Sequence, residues 1–198
     1  MRLPIEAHTA QPWRIHEIAP DFRVVDVWSY RTPGAGPDDL AVMLAAIREA
    51  EGSEPDPAIV GFLFAVRNKL GEWLGWDGPE AGSRDTTLCD RLPNDLRRPD
   101  SGAPVPNLPF TMLYQLRDEH AMELVNKTVA AVAHFSWAPV DDAGYELRMA
   151  VLVKPNGLFG RAYMAAIAPF RYLIVYPALT RRWERVWRER ESLLAPRE

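Results

Sequence analysis

Only one of the 198 residues is a cysteine, Cys89, so no disulfide can close within the chain and nothing asks for an oxidising compartment. Positive charge is short as well. The 23 Lys and Arg face 27 Asp and Glu, a net charge of −4, which lacks the cationic excess needed to displace counterions from a phosphate backbone; no nucleic-acid partner is expected. Long apolar runs are missing: Arg161, Arg171 and Arg181 cut the C-terminal apolar segment into runs of nine residues, about half of the ~20 that span a bilayer. The first residues, "MRLPIEAHTAQPW", hold no apolar core of signal-peptide length. A soluble cytoplasmic protein is the expectation. The glycine-containing stretches "GSR", "GWDG" and "GLFG" fit neither G-x-G-x-x-G nor a phosphate loop, and there is no H-E-x-x-H, no cysteine pair and no nucleophile elbow. Neither a cofactor nor a metal is expected.

What is present is a chain with 47% hydrophobic residues, enough for the core of one domain over residues 1–198. Phe22 to Trp28, "FRVVDVW", reads as a strand that ends at "RTPGAGPDD". Leu40, Met43, Leu44 and Ile47 then follow helical spacing, with Asp38 and Asp39 at the positive end and a stop near Gly52. Asp56 and Pro57 open a second helix that carries Ile59, Leu63, Val66, Leu70 and Trp73 and closes at Gly75. "TTLCDRL" is compatible with a short strand, and the five prolines of "PNDLRRPDSGAPVPNLP" predict a surface loop over 93–109. Phe110 to Leu116, Ala121 to Val125, Thr128 to Trp137 and Tyr145 to Val153 alternate like strands, with the turns "RDEH", "NK" and "PVDDAG" between them, which predicts an antiparallel meander.

The C-terminal part poses a local conflict. "APFRYLIVYPAL" has the composition of a strand, yet "RAYMAAI" before it and "TRRWERVW" after it are helical. It reads as the waist of one long helix, kinked where Pro169 frees the carbonyl of Ala165 and Pro177 that of Leu173, with its apolar run explained by burial. Arg171 is then the anomaly, a lone arginine that snorkels out, pairs with a carboxylate or meets the acidic group of a ligand. From Lys154 to Glu198 there are nine Lys and Arg against four Asp and Glu, an excess of +5 that leaves −9 on the rest. The excess suits an acidic partner or an anionic lipid surface, or else a solvated helix braced by Glu184–Arg188 and Arg185–Glu189 pairs.

"DFRVVDVW", "RLPNDL", "ELVNKTVAAVAHFSW" and above all "MAVLVKPNGLFGRAYMAAIAPFRYLIVYPAL" resemble the bacterial domain-of-unknown-function family DUF2867, over about Pro12 to Trp187. The family looks like a member of the START-like, helix-grip superfamily. The resemblance implies an α+β fold in which a curved, seven-stranded antiparallel sheet wraps around a long C-terminal α-helix, with two short helices after the first strand and an apolar cavity between sheet and helix. It also implies a tie to nucleotide-binding reductase-like domains, to which relatives are fused.

The residues offer several candidate sites. His134 is the histidine placed within a strand, on the face of Ala130, Val132 and Ser136; it is either a core histidine or a general base. Glu123 is either a buried carboxylate with acid–base potential or the cross-strand partner of Arg148, and Arg148 is that partner or an anchor for an acidic ligand. Tyr114 and Tyr145 offer strand hydroxyls. Tyr163, Ile167, Phe170 and Ile174 recur at helical spacing, as cavity lining or as plain core, with Arg171 among them. Cys89 lies near Arg84 and Arg91, which can lower a thiol pKa, but no histidine stands beside it in sequence. Three functions fit: a binding protein for a small hydrophobic molecule; a cyclase, hydratase or lyase using His134, Glu123, Arg148 and Tyr145; or an accessory protein that meets a separate reductase, or a second copy of itself, through Trp183 and Trp187.

Overall fold

Alternation of apolar and polar residues, with valines and aromatics in the apolar places, makes a chain favour extended pairing, and the segments with that pattern form the sheet. In the computed structural model, which describes residues 1–53, 87–106, 108–125, 129–140, 144–155 and 157–195, the strands are β1 (Arg23–Tyr30), β2 (Thr111–Gln115), β3 (Glu119–Val125), β4 (Val129–Val140) and β5 (Gly144–Pro155). They make a five-stranded antiparallel sheet in the order β1-β5-β4-β3-β2. The expected meander runs through β2 to β5, and β1 closes against β5. Five strands, not seven, are found among the described residues.

Both edges are protected, as exposed edges otherwise template aggregation. The first residues run beside β1, where Leu3 N–H donates to Val27 O at 2.9 Å and Ser29 N–H to Met1 O at 2.8 Å. At the other edge Gly102 N–H donates to Met112 O at 2.8 Å and Met112 N–H to Ala103 O at 2.9 Å. The proline-rich loop is therefore no detached segment; it caps β2. "TTLCDRL" is not a strand. Leu88–Arg91 forms a 3-10 turn, begun by the Thr87 hydroxyl accepting from Cys89 N–H at 3.2 Å.

Contacts divide the chain into two compact units. The first holds Met1–Leu40 and the described residues from Thr87 to Tyr163. Here two single-turn helices, α1 (Glu6–Thr9) and α2 (Ile15–Ile18), precede β1. Trp13, Ile15, Ile18 and Ala19 from this N-terminal segment pack with Leu88, Leu92 and Leu96 and with the sheet residues Val27, Leu113, Ala121, Val132, Ala150 and Leu152. Because facing residues of paired strands share a face, the row Ala121–His134–Ala150–Val27 lies beneath this cover.

The second unit holds the rest of α3 (Leu40–Ser53) and the C-terminal helix beyond Tyr163. Arg182 ties the two together, donating to Ala50 O at 2.9 Å and pairing with Glu51 at 3.4 Å. The C-terminal helix runs as α4 (Gly157–Phe170), a π-helical turn (Arg171–Val175) and α5 (Tyr176–Leu193). The strand-like waist is thus helical, but it is not kinked as two α segments; the two prolines bracket a π turn closed by Tyr176 N–H on Arg171 O. Without an N–H at Pro177 the α-register bond to Leu173 cannot form, and the wider turn accommodates that loss.

The waist is also not uniformly buried: Arg171 is 9% exposed, while Leu173 is 76% and Ile174 41% exposed. The extra residue in the π turn sets back the face that follows by roughly a quarter turn, which brings Arg171 and Val175 inward and leaves Leu173 and Ile174 outside. Trp183 and Trp187, expected as an exposed contact patch, are buried. The helix predicted over Ile59 to Trp73 lies outside the described residues.

Candidate functional site

Glu119 is the hub of a buried polar chain on the covered face of the first unit. β3 begins at Glu119, not at Ala121, so the carboxylate shares the face of Ala121 and Glu123 and sits opposite Ser136. It is 4% exposed, and burial alone would make its charged form costly. Four contacts offset that cost. The Arg14 backbone N–H donates to both oxygens at 3.1 and 3.0 Å. Tyr114 O–H donates to Oε2 at 3.0 Å and His134 Nε2 lies 3.0 Å from the same oxygen. Burial is the largest influence and pushes the Glu119 pKa up, but the donors from His134, Arg14 and Tyr114 together bring it below the ordinary carboxylate value.

An ionised carboxylate accepts only, so the proton of His134 is on Nε2 and its Nδ1 is a lone pair. His8 Nε2 lies 2.9 Å from that Nδ1. By the same logic His8 carries its proton on Nε2, and its Nδ1 is left as an acceptor. This last nitrogen is buried and makes no hydrogen bond. The hydrogen-bond order, from His8 through His134 to Glu119, is fixed entirely by the carboxylate at one end.

Both imidazoles are neutral. Burial lowers the His134 pKa more than Glu119 raises it, so Glu119 and His134 form a carboxylate–imidazole pair and not an ion pair. Burial, then the neighbouring His134 and His16, lowers His8 from 6.5 to about 2. His16 stands edge-on to His8 at 4.9 Å between ring centres and donates to its backbone carbonyl at 3.4 Å. Burial and the adjacent Glu119 push the Tyr114 phenol far up, which keeps it a donor. Trp13 leans over His134, 5.9 Å between ring centres. Its indole N–H and the Ser136 hydroxyl, two residues from His134 along β4, are buried and, like His8 Nδ1, make no hydrogen bond.

The other candidates fall elsewhere. Glu123 does not pair with Arg148. It faces Thr111 and Val132 across the sheet, and its oxygens hold the Thr87 hydroxyl and Leu88 N–H, the latter at 2.8 Å. Its role is to dock the 3-10 turn. Arg148 instead pairs with Glu146 at 2.8 Å, because residues two apart on a strand share a face. Tyr145 is opposite Pro139, on the face away from His134, and its carbonyl accepts from the Thr32 hydroxyl at 2.6 Å.

Burial, then Glu123, raises the Cys89 pKa; Arg91 is engaged with Asp21 at 2.7 Å, and Arg84 lies outside the described residues. Ile167 and Phe170 are half-buried, Ile174 is exposed, and the Tyr163 side chain lies outside the description. Of the predicted residues, then, the fold joins His134 and Tyr114 and separates Glu123, Arg148 and Tyr145 from them. Among the described residues, no cluster of three or more His, Cys, Asp or Glu is arranged to hold a metal ion.

Glu119, His8, Trp13 and Arg14 were not legible as site residues. Glu119 falls in "RDEH", which reads as a turn, and His8 lies 126 positions from its partner. Extending the alternation of Glu123 and Ala121 back by one step is the signal that points to Glu119.

Fold and site together define an α+β protein: an antiparallel meander closed by its first strand, one face roofed by an N-terminal segment over a buried carboxylate–imidazole chain, and a long C-terminal helix. The chain belongs to the family described as a protein of unknown function, DUF2867, whose model matches residues 18–178. No curated protein and no solved structure matches it. The matched span includes Glu119, His134 and Tyr114 but begins after His8 and Trp13.

Proposed function

We propose that the protein binds a small, uncharged, largely apolar molecule at the His8 end of the buried chain. The observation that carries this is the set of buried polar atoms left without partners around His134: the acceptor His8 Nδ1, the donor Trp13 Nε1–H and the Ser136 hydroxyl. Buried polar groups in native proteins are nearly always satisfied, and each exception calls for a reason, a bound molecule among them. The complement of one acceptor and one donor beside an apolar cluster suits a hydroxyl or amide group on a hydrocarbon frame. A charged ligand is disfavoured, since Glu119 is already fully engaged and both histidines are neutral. A hollow of about 440 Å³ lined by Arg2, Leu3, Pro4, Ile5 and Glu6 lies in the same N-terminal segment as His8. The proposed site is on the side of the sheet covered by the N-terminal segment, and the C-terminal helix residues expected as lining are not needed for it.

An acid–base enzyme of the hydratase or lyase type is the weaker reading. A general base works best with a pKa near the working pH, and His8 lies far below it. The helix-grip architecture is likewise a proposal; what supports it is the first strand lying beside the last and the long helix following β5.

Native mass spectrometry of the purified protein tests the binding reading. A retained small-molecule mass is expected, and it should disappear in His8→Phe, which keeps an aromatic ring and removes the acceptor. Wild-type protein with no added mass after gentle desalting, and with no shift in His8 ring-nitrogen resonances on exposure to apolar alcohols or amides, would rule it out.

A further inference from the structure

The outer face of the C-terminal helix has the chemistry of a membrane-surface element. Val175, Tyr176, Leu179, Trp183, Val186 and Trp187 are buried and mark its inner face. On the opposite side Pro169, Leu173 and Ile174 are exposed, followed by Arg181, Arg185 and Arg188 at the i, i+4, i+7 spacing that aligns side chains on one face. Leu173, at 76%, is the most exposed large apolar side chain among the described residues. The braces expected for this helix, Glu184–Arg188 and Arg185–Glu189, are not formed, and Arg181, Arg185 and Arg188 make no ion pair among the described residues.

We propose that this face docks on an anionic lipid surface, with Leu173 and Ile174 dipping into the headgroup boundary and the three arginines meeting lipid phosphates. Three observations select that occupant. The charge is complementary to an anionic surface: Lys154 to Glu198 carries +5, against −9 on the rest of the chain. A second copy is disfavoured, because pairing two such faces brings like charges together: Arg181, Arg185 and Arg188 outnumber Glu184 and Glu189, the carboxylates beside them on the helix. A protein partner normally engages aromatic anchors, but the tryptophans of this helix, Trp183 and Trp187, point inward. An apolar patch flanked by arginines on a helix that cannot span a bilayer is the pattern of interfacial binding, and no described helix is long and apolar enough to cross.

Vesicle co-sedimentation tests the proposal, using phosphatidylcholine alone and phosphatidylcholine mixed with phosphatidylglycerol at low and high salt. Binding to the mixed vesicles is expected to exceed that to phosphatidylcholine by about tenfold or more and to fall with salt, as a three-arginine contact should. Leu173→Asp, and separately the triple variant Arg181→Glu, Arg185→Glu, Arg188→Glu, should each return binding to the phosphatidylcholine level. All four positions are exposed, and unchanged circular dichroism and thermal unfolding confirm that the variants fold. Wild-type protein that ignores anionic vesicles overturns the proposal, as does binding that survives both variants. So does a wild-type dimer in light scattering that Leu173→Asp converts to monomer, since the face would then belong to a second copy.

Discussion

Replacing Glu119 by alanine removes the acceptor that orders the buried chain and leaves three donors behind it: His134 Nε2–H, Tyr114 O–H and Arg14 N–H. Each buried donor left unsatisfied costs about 1–3 kcal/mol, while the carboxylate no longer has to be desolvated, which returns part of the sum. A net loss of about 4 kcal/mol is expected for Glu119→Ala, against a total stability on the order of 5–15 kcal/mol. Glu119→Gln separates charge from shape. Its amide oxygen can take the place of Oε2, where all three donors converge, and its NH₂ then faces only the longer, 3.1 Å contact with Arg14 N–H. What is lost is the charge assistance of three hydrogen bonds, about 1 kcal/mol each, again partly offset, so about 2 kcal/mol is expected.

Urea unfolding of the three proteins at neutral pH measures both values. The carboxylate also predicts a pH signature. Its folded pKa is below the ordinary value, 4.5, so its contribution is complete above that value and fades as pH falls through the folded pKa. Glu119→Gln should lack that segment of the acid limb. A Glu119→Ala protein within about 1 kcal/mol of wild type, with an unchanged acid limb, would refute the reasoning about the whole chain.

His8 adds a second acid sensitivity at higher pH. Neutral when folded, with a pKa near 2 against 6.5 for the ordinary imidazole, it makes the unfolded chain bind the extra proton, so stability is full above about 6.5 and falls by up to about 1.4 kcal/mol per pH unit below it. Equilibrium unfolding between pH 7 and 5, in the range on the order of the histidine pKa, should show this slope in wild type and a shallower one in His8→Phe. Thr87→Val removes both the cap on Cys89 N–H and the donor to Glu123; a loss of about 1–2 kcal/mol is expected, with faster limited proteolysis within 87–106 as the local readout. On the C-terminal helix, Trp187→Ala should cost about 3–5 kcal/mol and Leu173→Ala less than about 0.5 kcal/mol by thermal unfolding. Equal costs would show the inner and outer faces to be wrongly assigned.

The strands were legible because their signal is local. A period of two over five to seven residues marks which segments pair, and turn-forming residues mark where the chain reverses. The helix at Leu40 was legible for the same reason, from Met43 and Leu44 at helical spacing. Partners were much less so. Arg148 was set against Glu123 because both sit on strands with the right alternation, but strand order puts β4 between β3 and β5, and the two side chains have no shared edge on which to meet.

Composition misled twice at the C-terminal end. "LIVY" reads as buried because apolar residues usually are, and "W…W" beside arginines reads as an interface. Helical phase decides both cases, and the phase is reset by one turn of π-helix between Pro169 and Pro177.

The sequence by itself determined the α+β class, the antiparallel meander, the family and the long C-terminal helix, because backbone propensity and hydrophobic period act over a few neighbouring residues. Only the tertiary structure decided which polar groups meet. His8 and His134 are 126 positions apart, and Arg14 and Glu119 are 105 apart. Their association depends on the N-terminal segment folding over one face of the sheet, where desolvation penalises every unpaired charge and so selects a carboxylate, its donors and two neutral imidazoles as a set.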